Sequence, residues 1–158
     1  MKAEHNRFMG IALKEASKNL VSVQGFPFGA CIVRNGKVVC VARNTVLKNK
    51  DATCHAEINA IRAASKKLKR RHLWDCVIYS TAEPCPMCFA AIHWARIQKI
   101  VLGATIRDSE KAGFDELLVS DRRLNRAARK KIRIVSGVMA KECKALLEEW
   151  TEKKKPVY

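Results

Sequence analysis

Pro84-Cys85-Pro86-Met87-Cys88, with His55-Ala56-Glu57 about thirty residues earlier, is the part of this chain that decides its fold. One imidazole and two thiolates are three of the four ligands of a tetrahedral zinc ion, and they leave one position for water, as in catalytic zinc sites. Glu57 stands two residues after the histidine, where it can carry protons without binding metal. A structural zinc ribbon needs four protein ligands, and the sequence holds no second Cys-x-x-Cys or nearby histidine pair to complete one.

Both motifs fall at predicted helix starts, so the fold must bring two helix N-termini together around one ion. His55 and Glu57 belong to the first turn of one helix, and Pro86 opens the next. Proline is favourable there because its missing N–H would have no partner in the first turn anyway. Cys85 and Cys88 are three residues apart and face the same side. The partial positive charge of a helix N-terminus favours their thiolate forms, which zinc requires.

Alternating helix and strand patterns predict an α/β fold. A leading helix is followed by two strands joined at Asn35-Gly36, a strong hairpin signal. Strand and helix then alternate, which implies parallel crossovers. We therefore predict a mixed five-stranded sheet with helices on both faces, in a single domain spanning residues 1–158. The expected helices are 3–20, 54–68, 86–96 and 138–150; the strands are 28–33, 37–43, 76–81, 99–104 and 131–135; 44–53 is a loop, 105–126 is loop with a short helix, and a tail starts at 153.

The composition indicates a continuous core and a strongly basic surface. Apolar residues make up 48% of the 158 residues, and 31 Lys and Arg against 15 Asp and Glu give a net charge of +16. No segment approaches the ~18 uninterrupted apolar residues of a membrane span, so we expect a cytoplasmic protein without membrane contact. The positive charge indicates acidic partners, with nucleic acid as the obvious candidate, or simply a basic surface. Trp94 and Trp150 are expected to pack in the core or between helices.

The cysteine pattern argues against a disulfide framework, because the seven cysteines are an odd number and no apolar signal precedes them. Cys54 directly precedes His55, so its side chain is expected to point away from a metal that His55 holds. Three cysteines in apolar strand-like runs are expected to be small buried hydrophobes; these are Cys31, Cys40 and Cys76.

The His-x-Glu and Pro-Cys-x-x-Cys motifs together are the pattern of zinc-dependent base deaminases, and the chain resembles the cytidine deaminase superfamily. The resemblance implies a three-layer α/β/α fold of the cytidine-deaminase type. It also implies one Zn²⁺ per chain, held by His55, Cys85 and Cys88. Glu57 is then the catalytic residue that moves protons between the water and the base.

Within the superfamily, the chain is similar to guanine deaminases and plant-type guanosine deaminases over nearly its whole length. The similarity lies in Pro27-Phe28-Gly29-Ala30, in the run from Ala91 to Arg96 and in Ala112-Gly113-Phe114-Asp115-Glu116. It implies hydrolysis of guanine or guanosine to xanthine or xanthosine and ammonia. It also implies a homodimer in which the C-terminal tail, about 151–158, is exchanged between subunits.

The same resemblance suggests which residues contact a small purine substrate. Asn44 matches a loop asparagine that contacts the purine, and an amide can both donate to and accept from a base edge. Phe28 matches a pocket phenylalanine, and Tyr158 matches a terminal tyrosine that contributes to a closing tail. Glu116 stands where the family usually has the second aspartate of Gly-Phe-Asp-Asp. The backbone N–H of Ala56, at a helix start, is suited to hold a substrate carbonyl.

Three other functions remain open at this point. The run from Thr81 to Cys85 and that from Gly137 to Cys143 are also similar to bacterial tRNA adenosine deaminases. The basic stretches Lys66–Arg71 and Arg122–Arg133 could hold phosphates of tRNA, although either alone is more typical of a solvated helix end. The substrate could also be another aminated base such as cytosine. An inactive nucleic-acid-binding module is disfavoured, because the chain retains Glu57 together with all three metal ligands.

Overall fold

Five strands form one mixed sheet in the computed structural model, which describes residues 2–22, 24–153 and 155–157. The strands are β1 (Gly29–Arg34), β2 (Lys37–Arg43), β3 (Cys76–Ala82), β4 (Lys99–Ala104) and β5 (Arg133–Val135). Across the sheet they lie in the order β2-β1-β3-β4-β5. β1 runs antiparallel to β2 and β3, whereas β3, β4 and β5 are parallel. The predicted mixed five-stranded sheet is therefore confirmed.

Helices connect and cover these strands. Within the described residues they are α1 (Lys2–Ser17), α2 (Asn19–Ser22), α3 (Val46–Asn49), α4 (Ala56–Leu68), α5 (Pro86–Trp94), α6 (Ile106–Lys111), α7 (Asp121–Ala127) and α8 (Ala140–Glu152). α1 packs against β1, β2 and β3, α4 packs against β1 and β2, and α8 packs against β4. Every residue from Ala30 to Val33 in β1 is buried, which a strand shows when both faces of its sheet are covered.

The strand connections determine which loops and helix starts lie at each end of the sheet. Asn35 and Gly36 join β1 to β2 with φ angles of 50° and 70°, the left-handed conformations that a tight hairpin turn requires. β3 and β4 are parallel because α5 crosses between them. The carboxyl ends of β3 and β4 therefore lie at the same end of the sheet. The cysteine motif directly follows β3 at that end.

Several predicted helix boundaries differ from the structure: α3 lies within the expected loop 44–53, α6 and α7 replace the single short helix expected after 105, and α5 and α8 end at other residues than predicted. The helix expected over 3–20 is divided into α1 and α2, which are separated at Lys18. Asn19 turns its side chain inward, where Nδ2 donates to the carbonyl oxygens of Phe26 at 2.8 Å and Asn44 at 2.9 Å. The metal-motif helix begins at Ala56, because His55 has the extended backbone of a helix N-cap, with φ −66° and ψ 158°.

Two predictions of burial are wrong. Trp94 is 70% exposed because it lies on a face of α5 that no described element covers, whereas Trp150 is fully buried as expected. Cys40 is only partly buried, because β2 is the edge strand of the sheet; Cys31 and Cys76 are buried as predicted. Among the described residues, no helix has the length and apolar character needed to cross a lipid bilayer.

Candidate active site

Three metal-binding side chains converge where α4 and α5 begin. Nδ1 of His55 lies 3.6 Å from Sγ of Cys85 and 3.6 Å from Sγ of Cys88. The three donor atoms all lie within 4.8 Å of one another. His55 is the N-cap residue of α4, Cys85 is the N-cap residue of α5, and Cys88 lies in the first turn of α5. The two helix N-termini thus point into the same small volume.

The spacing of these donors fits a zinc ion. A tetrahedral ion with the usual Zn–N and Zn–S bond lengths separates a nitrogen from a sulfur ligand by about 3.6 Å, which is the His55–cysteine separation seen here. One imidazole and two thiolates are also the donor set that zinc prefers, with one position left for water. Zinc is the metal of this site, and the three side chains are arranged to hold it.

Proton affinities at the ligand cluster favour a thiolate even before a metal binds. A hydrogen bond from the Cys88 thiol lowers the pKa of Cys85 to about 4, against the effect of burial, and His55 adds to this lowering. The same sulfur–sulfur contact, with burial, raises the pKa of Cys88. Burial opposes a charged His55, but its contact with Cys85 and the nearby Glu57 carboxylate raise the pKa of its imidazole. A divalent cation would take over this role and displace the remaining protons.

Glu57 is a buried carboxyl group that adjoins the ligand cluster. It is 5% exposed, and the Ser80 hydroxyl donates a hydrogen bond to Oε1 at 2.6 Å. The Cys88 thiol lies 3.4 Å from Oε2. Burial raises the pKa of Glu57, although His55 and Ser80 partly counteract the increase. A carboxyl group with raised proton affinity beside a metal-bound water site is suited to accept and return a proton near neutral pH.

Asn44 forms one wall of a pocket in front of the cluster. Its side chain is fully buried, and Oδ1 accepts from the backbone N–H groups of Phe26 and Val46, each at 3.2 Å. Nδ2 has no hydrogen-bond partner among the described residues. A Cβ atom at Gly25 would lie 2.3 Å from Oδ1, so glycine is required beside this amide. The oxygen of Asn44 is thus used to fix its orientation, and the amide N–H₂ is left for a ligand in the pocket.

The segment 113–116 forms the opposite wall. Phe114 is buried and its ring meets that of Phe28 edge-to-face at 5.0 Å, an arrangement that anchors the segment. Phe28 and Glu116 both line the pocket with Asn44. Burial raises the pKa of Glu116 to about 7, and the nearby Cys85 adds to the effect. The structure therefore brings three of the predicted substrate contacts to the mouth of the metal cluster.

Glu83 and Ser80 are site residues that the sequence did not reveal. Glu83 lines the pocket, and its two carboxylate oxygens accept from the backbone N–H groups of Ile106 at 3.0 Å and Asp121 at 2.8 Å. It thus ties the starts of α6 and α7, which flank the segment 113–116, to the cysteine loop. Ser80 orients Glu57 as described. The sequence marks these two residues only by position: Ser80 lies near the end of a buried strand, and Glu83 lies two residues before Cys85.

The remaining predicted site residues have different outcomes. Ala56 is buried at the first position of α4, where its N–H has no intrahelical acceptor. Cys54 is not part of the ligand cluster; its Sγ lies 3.3 Å from Asn49 Nδ2 and 3.3 Å from Asp51 Oδ2, away from the metal site, as expected. Tyr158 lies outside the described residues, so its predicted contact stays a prediction.

Comparisons with known proteins agree with this site. Residues 2–104 match the family model described as the cytidine and deoxycytidylate deaminase zinc-binding region. A guanine deaminase from Bacillus subtilis is 40% identical over 115 residues, which is 73% of this chain and 74% of that protein. A tRNA-specific adenosine deaminase from Streptococcus pyogenes serotype M1 is 33% identical over 147 residues, 92% of this chain and 82% of that one. The solved structure of NE0047 in complex with 2,6-diaminopurine superposes with a TM-score of 0.88 at 28% identity, over 98% of this chain and 85% of that one.

The family match contains the histidine motif, the cysteine motif and the strand between them, and the superposition extends to the last helix. The ligand geometry, the buried carboxyl group beside it and the sheet order agree with that match. This chain belongs to the zinc-dependent cytidine and deoxycytidylate deaminase family.

Proposed function

We propose that this protein hydrolyses the exocyclic amino group of guanine, or of guanosine, to give xanthine or xanthosine and ammonia. The observation that carries this choice is the lining of the pocket. It holds the carboxyl groups of Glu57, Glu83 and Glu116 and the amide of Asn44, and no lysine or arginine is among its described lining residues. A neutral base is compatible with such a wall, whereas a phosphate group would find no lysine or arginine among these lining residues to pair with.

The two walls complement the edges of guanine. Guanine presents O6 and N7 as acceptors and N–H groups as donors. The unpaired Nδ2 of Asn44 can donate to an acceptor of the base, and Glu116 can accept from an N–H group. Phe28 supplies apolar contact for the ring. The guanine deaminase among the relatives and the diaminopurine complex of the solved neighbour support a purine with an exocyclic amino group.

The reaction needs one water and one residue that moves protons. Zinc, when bound, lowers the pKa of a coordinated water so that hydroxide is available near neutral pH. Glu57 accepts the water proton and delivers it to a ring nitrogen of the base while the water oxygen bonds to the carbon that bears the amino group. The Glu57 carboxylate then takes the proton of the added hydroxyl group and passes it to the amino group; the carbon–nitrogen bond breaks, ammonia leaves, and the added oxygen becomes the carbonyl of the product. In this proposal the Ala56 N–H, which has no intrahelical acceptor at the start of α4, holds a carbonyl of the base.

The direct test is ammonia release by the zinc-loaded protein from guanine, guanosine, adenine, adenosine, cytosine, cytidine and bulk tRNA. We expect release from guanine or guanosine at least about 100-fold faster than from the others, since a site built around specific hydrogen bonds rejects bases that leave its polar groups unpaired. Release from tRNA alone would overturn the proposal and favour the adenosine deaminase that the S. pyogenes relative represents. The Glu57→Gln protein from the same preparation controls for contaminating deaminases.

Replacing Asn44 by Asp separates its two hydrogen-bonding roles. The carboxylate keeps acceptors for Phe26 and Val46 but removes the amide donor that faces the pocket. We expect kcat/KM to fall by roughly 10- to 100-fold, the effect of about 1.5–3 kcal/mol for one hydrogen bond involving a charged or buried partner. Asn44→Ala should in addition lower the melting temperature, because it leaves two buried N–H groups without acceptors. If Asp at this position left kcat/KM unchanged, the amide would have no role in substrate binding.

We also propose a homodimer that uses the exposed face of α5. Four apolar residues recur at helical spacing on that face and are partly or largely exposed, namely Met87, Ala90, Ala91 and Trp94. An apolar stripe of this kind is typical of an interface.

Exchange of the tail stays a prediction; in the structure the Trp150 indole donates to the Pro156 carbonyl of its own chain at 2.8 Å. The single domain over residues 1–158 and the cytoplasmic location also stay predictions.

A further inference from the structure

A second cleft, distinct from the active site, lies at the opposite end of the sheet. It has a volume of about 820 Å³ and is lined by residues that precede β3, β4 and β5 and by the end of α5. The metal cluster follows the carboxyl end of β3, whereas this cleft lies at the amino ends of the parallel strands. The seven residues of β3 separate the two places by about 20 Å, at roughly 3.3 Å per residue.

The titratable side chains that line this cleft are basic. Arg96, Arg129 and Lys130 are exposed, and none of them takes part in an ion pair with another described residue. His72 and His93 complete the ring of basic groups. Lys131 also lines the cleft but is already bound to carbonyl oxygens at the end of α7. A concave surface with several unpaired cations attracts anions strongly.

The acidic residue nearest to the cleft in sequence does not neutralise it. Asp75 follows Trp74, and its carboxylate is already bound by Arg34 at 2.6 Å and by Arg70. Both arginines also lower the pKa of Asp75, against the opposing effect of burial. Its charge is therefore balanced within its own cluster, and the cations of the cleft keep their positive potential.

An aromatic ring stands at the rim of the same cleft. Trp74 is 57% exposed, although a tryptophan of this size is normally buried. The guanidinium carbon of Arg70 lies 5.6 Å from its ring centroid, and this cation–π contact steadies the indole. An exposed, oriented aromatic ring beside unpaired cations is the combination by which proteins bind single-stranded nucleic acid, with a base on the ring and phosphates on the cations.

The number of basic residues at this cleft favours a single-stranded nucleic acid over a single nucleotide as its ligand. Arg129 and Lys130, from the basic stretch Arg122–Arg133, line this cleft, and His72 and Trp74, which also line it, directly follow the basic stretch Lys66–Arg71. One nucleotide could neutralise only a few of these cations. We propose that the cleft binds a single-stranded nucleic acid, independently of the base that the enzyme deaminates, and that this strand is not the substrate.

The first experiment measures binding of a fluorescent single-stranded RNA of roughly twelve nucleotides by anisotropy, between about 50 and 200 mM salt. We expect Arg129→Gln/Lys130→Gln to weaken binding at least about tenfold and to reduce the slope of log K against log salt by about 1.4, at about 0.7 for each lost phosphate contact. The matched control is Lys37→Gln/Lys141→Gln, which removes the same charge from exposed positions outside the cleft. Equal weakening in both double variants would overturn the proposal.

The second experiment tests the aromatic contact. Trp74→Ala should weaken binding of the RNA about 5- to 150-fold, which is the fold-change for about 1–3 kcal/mol of base stacking. Trp74→Phe should restore most of the lost affinity. Circular dichroism and deaminase activity of these variants, expected to be unchanged, show that the fold is retained. Unchanged binding by Trp74→Ala, or equally tight binding of a duplex of the same sequence, would overturn base stacking at this cleft.

A competition experiment separates the cleft from the active site. Guanine at saturating concentration, with the Glu57→Gln protein to prevent turnover, should leave the affinity for the strand unchanged, because about 20 Å separates the two sites. Displacement of the strand by guanine would place it at the active site and overturn the proposal. This outcome does not depend on whether guanine is the preferred substrate, since adenine and cytosine can be used in the same way.

Discussion

Glu57→Gln is expected to lower kcat by roughly 10²- to 10⁴-fold, the usual contribution of a positioned acid–base group, while the protein keeps its zinc. The amide retains the shape of the side chain and can still accept from the Ser80 hydroxyl, which lies 2.6 Å from Oε1. It cannot accept a proton from water and return it to the base. Turnover measured by ammonia release and zinc content measured by atomic absorption on the same sample are the two readouts.

The control for this variant is Glu110→Gln, the same chemical change at an exposed carboxyl group on α6. It should leave turnover within about twofold of the unmodified protein, since surface substitutions away from such features have small effects. Burial raises the pKa of Glu57. Ionisation of this carboxyl group therefore lowers the stability of the folded protein at pH values above its pKa in the unfolded chain. Metal-free Glu57→Gln should therefore melt no lower than the metal-free parent at neutral pH. Substantial turnover by Glu57→Gln would rule out Glu57 as the proton carrier.

Cys85→Ser is expected to remove both the metal and the activity while leaving the fold. Cys85 is the N-cap of α5, and serine is among the best N-cap residues, so the helix start is preserved or improved. A serine hydroxyl is a poor zinc ligand, because it is not ionised at neutral pH as the Cys85 thiolate is. Loss of an outer-shell partner of a zinc site already costs 10- to 100-fold in affinity, so loss of a ligand should cost more than about 100-fold.

Cys54→Ser is the matched control for this experiment. Cys54 is adjacent to the ligand histidine in sequence and is a buried thiol, whereas Cys85 is partly buried. The sulfur of Cys54 contacts Asn49 and Asp51 and is not among the metal-binding side chains. It should keep a full complement of zinc and nearly full activity. Zinc content after dialysis against a chelator, with circular dichroism for the fold, distinguishes the two variants. If Cys85→Ser retained zinc as tightly as Cys54→Ser, the ligand assignment would be wrong.

The two proposed sites have opposite electrostatic character, and this bears on the net charge of +16. The active-site pocket is lined by three carboxyl groups, whereas the cleft at the other end of the sheet is lined by unpaired cations. Arg129 and Lys130, which belong to one of the basic stretches that suggested tRNA as a substrate, line this cleft and not the active-site pocket. A single-stranded nucleic acid bound at the cleft would keep the enzyme attached to that nucleic acid and leave the active-site pocket accessible to a free base.

The sequence alone predicted the three side chains that meet at the metal-binding cluster, the carboxyl group of Glu57 beside them, and the strands and longer helices. His55, Glu57, Cys85 and Cys88 lie at helix starts whose signals are local, namely an extended N-cap followed by a first turn and Pro86 at the first helical position. The strands also follow from local patterns of apolar residues and from the Asn35-Gly36 turn. Such features depend on neighbours within a few residues, so they can be read from the chain itself.

The contacts between residues that are far apart in sequence depend on the tertiary structure. Asn44 is oriented by Phe26 and Val46, and Glu83 ties the starts of α6 and α7 to the cysteine loop across gaps of 23 and 38 residues. The exposure of Trp94, which the sequence predicts to pack in the core or between helices, depends on which face of α5 the sheet covers. Trp74, Gln98 and Lys131, which precede β3, β4 and β5, line one cleft because parallel strands bring their amino ends together. These outcomes depend on long-range packing, which no local pattern specifies.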